Sequence, residues 1–148
     1  MHLWRTWLRV NTLMTSALAR ELQQSSSLSL PDFEVLVTLT DATDDRLRVS
    51  ELGRALQWEK SRLSHHLRRM GTRGLVERTE CAEDARGAFI AVTAKGRAEI
   101  EKAAPDHVRA VRRLVFDDFD PAQQAQVSEF LDRTLARLED DPVDVCAG

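Results

Sequence analysis

The feature that most constrains this chain is a basic segment near its middle, residues 59–70, which combines charge with helical periodicity. At about 100° per residue, Leu63, Leu67 and Met70 fall on one narrow side of a helix. The opposite side is polar, with Ser61, His65, Arg68 and Thr72 at its centre and Arg62 and Arg69 on its flank. One side can pack against a core while the other offers donors and positive charge. A helix that lies in the major groove of DNA needs this division.

The charge distribution supports this interpretation better than the total charge does. The net charge is −3, but residues 54–73 hold six basic side chains and one acidic side chain, Glu59. Acidic residues collect elsewhere, in segments 41–45, 117–120 and 139–144. An acidic protein can therefore present one surface that attracts phosphate. The alternative is an ordinary solvated helix face, which explains most charge runs.

The length of 148 residues and the 43% hydrophobic content predict a single domain over residues 1–148, with a real core. The sequence contains no run of about 18 apolar residues, so no membrane span is predicted. Arg5, Arg9 and Arg20 interrupt the apolar amino-terminal segment, so no secretory core can be drawn and we expect a cytoplasmic protein. Two cysteines, Cys81 and Cys146, are too few for a disulfide framework or a zinc ribbon.

Helical patterns occupy the first half of the chain. Residues 2–24 carry an apolar arc wider than one core-facing stripe requires, so part of it is expected to meet a second chain. Ser29, followed by Asp32, predicts the start of a helix over about 30–42. Residues 47–49 are expected to be short and extended, and Ser50 predicts the amino-terminal cap of a short helix. The basic helix follows after Gln57 and Trp58, which gives a helix, a turn and a helix. Gly74 is placed for a left-handed cap that ends it.

The second half begins with two strand patterns, residues 75–79 and 88–92, joined by a polar loop, which together predict a hairpin wing. Thr93 is expected to cap a helix over about 94–117, which Pro105 should kink or divide. Another helix starts at Asp120-Pro121. The predicted fold is mainly α with a small β-hairpin wing, and its winged helix-turn-helix module spans residues 30–93.

In this order of elements the chain resembles the MarR family of bacterial winged helix-turn-helix regulators. The resemblance is carried by Val49-Ser50-Glu51-Leu52, Lys60-Ser61-Arg62-Leu63-Ser64, Arg73-Gly74-Leu75-Val76-Glu77-Arg78, Asp84-Ala85-Arg86 and Val92-Thr93-Ala94-Lys95-Gly96. It implies an obligate homodimer in which the helices of residues 1–29 and 94–140 interleave. It also implies a transcriptional regulator, by default a repressor, that binds double-stranded DNA at a pseudo-palindromic operator.

The candidate DNA-binding residues follow from the helix and the wing. The candidates on the helix are Lys60, Ser61, Arg62, Ser64, His65, Arg68 and Arg69. Of these, Ser61, Arg62, His65, Arg68 and Arg69 are expected to enter the major groove. Arg62 and His65 are the first candidates for base contact, because arginine can pair with two acceptors of guanine. Arg86 at the wing tip is expected in the minor groove, with Asp84 holding its side chain, although the pair could be an ordinary turn ion pair. Lys60, Arg54 and Arg73 are assigned to the phosphate backbone.

Two residues depart from the family pattern, Trp58 in the turn and His66 where an aliphatic core residue is usual. By resemblance, a small aromatic or anionic effector could bind beside Trp4, Trp7, Phe33 and His66. The alternative is that these side chains belong to the core, and His66 is expected to be a partly buried histidine. Redox control through Cys81 is a rival trigger, but the peroxide-sensing members of the family place their cysteine in the first helix, where this chain has none.

Two other classes of function are weaker fits. The four histidines show neither metal-ligand spacing nor a catalytic arrangement, so we expect no enzyme, no metal and no cofactor. His65 and His66 project about 100° apart and could not readily share one metal ion. The basic helix could alternatively bind an acidic protein. In that case the chain would be a winged-helix interaction module.

Overall fold

The computed structural model describes residues 1–80 and 88–140, and these are mainly helical. Within them the α-helices are α1 (His2–Ser25), α2 (Leu30–Thr40), α3 (Val49–Leu56), α4 (Lys60–Thr72), α5 (Ala94–Val111) and α6 (Pro121–Asp140). The strands are β1 (Arg46–Arg48), β2 (Val76–Glu80) and β3 (Ala88–Val92). A 3-10 turn spans Thr43–Asp45, and a π-helical segment spans Arg112–Phe116. The predicted fold class, helices with a small β wing, is therefore confirmed.

The chain divides into two compact units, Met1–His107 and Val108–Gly148, with the division inside α5. The first unit contains the sheet and α1 to α4, and the second contains the π-helical segment and α6. The predicted limits of the winged module and of the dimerisation helices stay a prediction. In the described ranges, no helix is both long and apolar enough to cross a membrane.

Two helix starts show how the local sequence works. At α2, Ser29 Oγ accepts from the Asp32 backbone N–H, and Asp32 Oδ2 accepts from the Ser29 N–H at 2.9 Å. This reciprocal cap is the predicted one. At α3 the prediction was wrong, because the helix begins at Val49 and Ser50 lies inside it. Glu51 reaches back to accept from the Arg48 N–H at 2.9 Å, and the helix therefore begins two residues earlier than predicted.

These two serines give a matched pair of variants. Ser29→Ala should lower the free energy of unfolding by about 1 kcal/mol, since it leaves a donor at the helix start without its acceptor. Ser50→Ala should change it by less than about 0.5 kcal/mol, because Ser50 is exposed and caps nothing. Urea denaturation of both variants measures the difference. Equal losses would show that the Ser29 cap contributes nothing specific.

The turn between α3 and α4 has a defined geometry. Gln57 adopts a left-handed backbone with φ of 52°, and its N–H donates to the carbonyls at the end of α3. The Trp58 N–H donates to the Gly53 carbonyl at 3.0 Å, and α4 begins two residues later. A left-handed residue after the last turn ends a helix by satisfying its free carbonyls. The predicted helix-turn-helix is thus formed.

The sheet has three antiparallel strands in the order β1-β3-β2. Leu47 and Arg78 both lie opposite Ile90, one from each neighbouring strand. The predicted hairpin of β2 and β3 is confirmed. The short extended segment expected at residues 47–49 corresponds to β1, and its pairing with β3 is what the sequence alone did not reveal. The wing tip, with Cys81, Asp84 and Arg86, lies outside the described residues.

The core of the first unit joins α2, α3, α4 and the sheet. The most buried side chains include Leu36, Leu39, Leu52, Leu63 and Met70, each at most 1% exposed. Burying one leucine fully contributes on the order of 2 kcal/mol. The apolar side of the basic helix is thus fixed against this core, which leaves its other side outward.

One glycine lies at the end of α4 and another in the first turn of α5. Gly74 has φ of +72°, the left-handed cap that the sequence predicts. Thr93 Oγ1 donates to the Gly74 carbonyl at 2.7 Å and accepts from the Gly96 N–H, so the predicted cap of α5 is present. Pro105 does not divide α5, which continues to Val111. The π-helical segment begins only at Arg112.

Candidate nucleic-acid interface

The outward side of α4 carries the residues that the sequence proposed for DNA. Lys60, Ser61, Arg62, Ser64, His65, Arg68 and Arg69 are all exposed. Leu63 and Met70 on the opposite side are at most 1% exposed, and Leu67 is 7% exposed. The division predicted from periodicity is therefore present in the folded chain. It places four basic side chains on one helix surface, with Glu59 at its start as the nearest acid in sequence.

Most of these exposed side chains make no internal bond. Within residues 1–80 and 88–140, Lys60, His65, Arg68 and Arg69 have no side-chain hydrogen bond or ion pair. Their donors and charges are satisfied by solvent in the isolated chain. A cationic surface of this kind can exchange water and counterions for phosphate oxygens.

Arg62 is the member of this surface with a ring partner. Its guanidinium carbon lies 4.2 Å from the centre of the Trp58 ring, a short cation–π distance. Trp58 is half-buried and packs against the core cluster. The indole therefore covers the edge of the core and also contacts an arginine of the exposed surface.

Beneath α4 lies a buried carboxylate, Asp32, at 2% exposure. Its Oδ2 accepts from Arg73 Nη1 at 2.6 Å, and its Oδ1 lies 3.0 Å from His66 Nε2. The His66 contact is close enough for an ion pair, but its direction is too bent for a well-aligned hydrogen bond. Asp32 therefore links α2 to the middle and the end of α4.

The surroundings of Asp32 favour its charged form. Burial would raise the pKa of this carboxyl, but the contacts from His66, Arg73 and Ser29 outweigh burial and hold the pKa well below its usual range. At neutral pH the charged carboxylate therefore holds Arg73 in place. Arg73 Nη2 also donates to the Ser27 carbonyl at 2.7 Å. Both terminal nitrogens of Arg73 thus donate hydrogen bonds within the chain. The sequence analysis assigned this residue to the DNA backbone.

A groove of about 270 Å³ runs between α4 and the wing strands. Ser64 and Arg68 line it from α4, and Arg78 lines it from β2, above Val76 and Ile90. Arg78 was missed by the sequence reasoning. Strand alternation places it on the same face as Val76, toward α4, and this signal was available. Arg78 extends the basic surface from the helix to the sheet.

The remaining predicted residues are placed as follows. Arg54 is exposed on α3, and Arg86 lies outside the described residues. Of the four residues proposed for an effector, Trp4 and Trp7 are 57% and 40% exposed on α1, whereas Phe33 is buried. The Phe33 ring lies 4.3 Å from that of His107, where burial lowers the pKa of the imidazole. None of the four lines the groove beside α4, so the effector site stays a prediction.

Comparison with known proteins decides the family. The MarR family model matches residues 26–87, which include α2 to α4 and β2. AbsC, a MarR family transcriptional regulator from Streptomyces coelicolor, is 39% identical to this chain; the match covers 93% of this chain and 92% of AbsC, with a TM-score of 0.86. The chain belongs to the MarR family. The family predicted from the sequence motifs, MarR, is thereby confirmed.

Two further MarR relatives bear on the surface described above. Sco3205 from Streptomyces coelicolor, whose structure was solved in complex with DNA, is 33% identical, with a TM-score of 0.87 over 99% of this chain and 91% of Sco3205. The HTH-type transcriptional repressor YetL of Bacillus subtilis (strain 168) is 28% identical over 111 residues, 75% of this chain and 66% of YetL. The match thus spans just under two thirds of YetL. These relatives are transcriptional regulators.

Proposed function

We propose that this MarR protein binds double-stranded DNA in a sequence-specific manner and acts as a homodimeric repressor at a pseudo-palindromic operator. The observation that carries the proposal is the outward side of α4, where exposed basic and polar side chains stand over a buried apolar side. A helix with rigid packing below and free donors above suits the major groove. The DNA complex of Sco3205 supports the same role for this chain.

Within this proposal the residues of the surface divide by chemistry. Arg62 and His65 contact base edges, since their donors can pair with acceptors in the major groove. Lys60, Arg68, Arg69 and Arg78 neutralise phosphates and set the register of the helix on the duplex. Arg54 joins them from α3, and Arg86 is proposed for the minor groove.

The proposed dimer is supported by large apolar side chains that are exposed to solvent in each unit. In α1 the exposed large side chains are Leu3, Trp4, Trp7, Leu8, Val10 and Leu13. In α6 they are Phe130, Leu131, Leu135 and Leu138. Large apolar side chains exposed in such number on a helix are typical of a surface that another chain covers. A second copy would cover it and would present two recognition helices.

Repression is the proposed outcome because a dimer bound near a promoter excludes RNA polymerase from it. The repressor YetL supports this sign of control. We further propose release by a small aromatic or anionic molecule, a role that rests on the family resemblance and has no pocket assigned to it. The candidate residues remain Trp4, Trp7, Phe33 and His66.

Salt dependence tests the proposal on duplex DNA of random sequence. The logarithm of the binding constant should fall steeply with the logarithm of salt concentration, with a slope near −0.9 for each phosphate neutralised. Lys60→Ala should reduce the slope by about 2 for a dimer, since one phosphate contact is lost from each chain. Lys102→Ala removes an equally exposed charge from α5 and should leave the slope unchanged.

The same titration can refute the proposal. If the wild-type protein fails to bind any duplex at low salt, the DNA assignment is wrong, and a protein partner for the basic helix is favoured. If Lys60→Ala and Lys102→Ala change the slope equally, attraction is diffuse and α4 is not the contact surface.

A further inference from the structure

Trp58 occupies an unusual position between the core and the exposed surface of α4. It lies in the turn that precedes the helix, one helical turn before Arg62. The guanidinium carbon of Arg62 stands 4.2 Å from the centre of its ring. Arg62 is otherwise exposed, without another side-chain partner in the described part of the chain. The indole face is therefore the contact that restricts this arginine.

The indole is itself held from the protein side. The His66 ring meets it edge-on, with ring centres 5.3 Å apart and planes at 88°. His66 in turn lies against the buried carboxylate of Asp32, which Arg73 anchors. A continuous set of contacts thus runs from a fixed charge in the interior to an arginine on the surface. Trp58 is the residue that joins the two ends.

Stacking and base recognition use different parts of a guanidinium. The cation–π contact uses the flat face of the group, whereas its N–H donors point outward in the plane. An arginine held over an indole can therefore still donate two hydrogen bonds to guanine. Holding it beforehand reduces the side-chain entropy that is lost on binding.

We propose that Trp58 is a positioning residue that pre-orients Arg62 and thereby strengthens the preference of this protein at one base pair of each half-site. The inference rests on the proposed function, since it requires DNA in the major groove. It assigns specificity to a residue that does not itself contact a base.

The test is a double-substitution cycle on a duplex selected by the wild-type protein from genomic fragments. Trp58→Leu keeps an apolar side chain and removes the aromatic face, and we expect about a tenfold loss of affinity. The loss should be concentrated at the base pair where Arg62→Ala also removes the preference. In the Arg62→Ala background, Trp58→Leu should change affinity less than twofold. Trp58→Phe keeps an aromatic face and should therefore retain most of the base preference that Trp58→Leu loses.

Three outcomes would overturn this assignment. They are independent effects of Trp58→Leu and Arg62→Ala, a loss spread evenly over all base pairs, and a Trp58→Phe variant as weak as Trp58→Leu at equal thermal stability. A wild-type protein that binds no DNA refutes the proposed function instead. Wild-type binding without coupling between the two residues refutes the role of Trp58 alone.

A fluorescence readout covers the case in which Trp58→Leu does not fold. The chain has three tryptophans, so replacing Trp4 and Trp7 by phenylalanine leaves Trp58 as the sole indole. Arg62→Ala should then shift the Trp58 emission, because a charge at 4.2 Å from the ring has been removed. An unchanged emission would contradict the stacked arrangement in solution.

Discussion

Replacing Asp32 by asparagine should lower the free energy of unfolding at neutral pH by about 3 kcal/mol, the low end for breaking a buried ion pair. The carboxylate is 2% exposed and is shared by Arg73, His66 and the Ser29 backbone. Asparagine keeps the shape but removes the charge that these groups face. Arg73 is 37% exposed and can regain water, which keeps the loss from being larger. Urea denaturation gives the difference, with exposed Glu34→Gln on the same helix as the control.

The same substitution should change the acid limb of the stability curve. The pKa of Asp32 is lowered in the folded chain from its ordinary 3.8, so its contribution is fully present above about pH 4. Stability is then lost as the pH falls below that point and through the folded pKa, because the unfolded chain binds the proton more readily. Asp32→Asn should flatten this part of the curve. A wild-type and variant pair with parallel curves below pH 4 would show that Asp32 is not charged and paired in solution.

Gly96→Ala should destabilise the first unit by about 3 kcal/mol or more, at the upper end for inserting a carbon into a packed site. A Cβ at this position would lie 2.0 Å from the Leu75 carbonyl oxygen, and that oxygen is backbone that cannot rotate away. The first turn of α5 and the start of β2 would have to separate. This would disturb the wing beside α4, so both folding and the proposed DNA contact should suffer.

Gly71→Ala is the matched control for that prediction. A Cβ there would stand 3.8 Å from the Val76 carbonyl oxygen, an ordinary van der Waals contact between α4 and β2. Alanine favours a helix over glycine by about 0.5–1 kcal/mol, so this variant should be neutral or more stable. Thermal unfolding compares the two. A Gly96→Ala protein as stable as Gly71→Ala would mean that the close approach at Gly96 relaxes without cost.

Local patterns predicted the helices and the hairpin because they are local in origin. The spacing of Leu63, Leu67 and Met70 gave the buried side of α4, and the pair Ser29 and Asp32 gave the start of α2. The prediction that Ser50 is the cap failed because the Glu51 carboxylate accepts from the Arg48 N–H, which makes Arg48 the cap and places Ser50 inside the helix. The pairing of β1 with β3 joins residues more than 40 positions apart, which periodicity cannot detect.

The candidate site was predictable in outline for the same reason. Exposure of the basic side of α4 follows from its amphipathic pattern, whereas the partners of Asp32 lie 34 and 41 residues away in the chain. The sequence therefore identified Asp32 as a cap and Arg73 as a phosphate contact, but not their bond to each other. The stacking of Arg62 on Trp58 depends on how the turn folds. No spacing rule predicts it.

A footprint on a duplex selected from genomic fragments tests the central claim most directly. A homodimer with α4 in the major groove should protect two half-sites related by two-fold symmetry, about 10 base pairs apart or a multiple of that. Arg62→Ala should relax one base pair in each half-site, and Arg86→Ala should weaken protection with less change in preference. A single protected half-site, or a footprint unchanged by both substitutions, would contradict it.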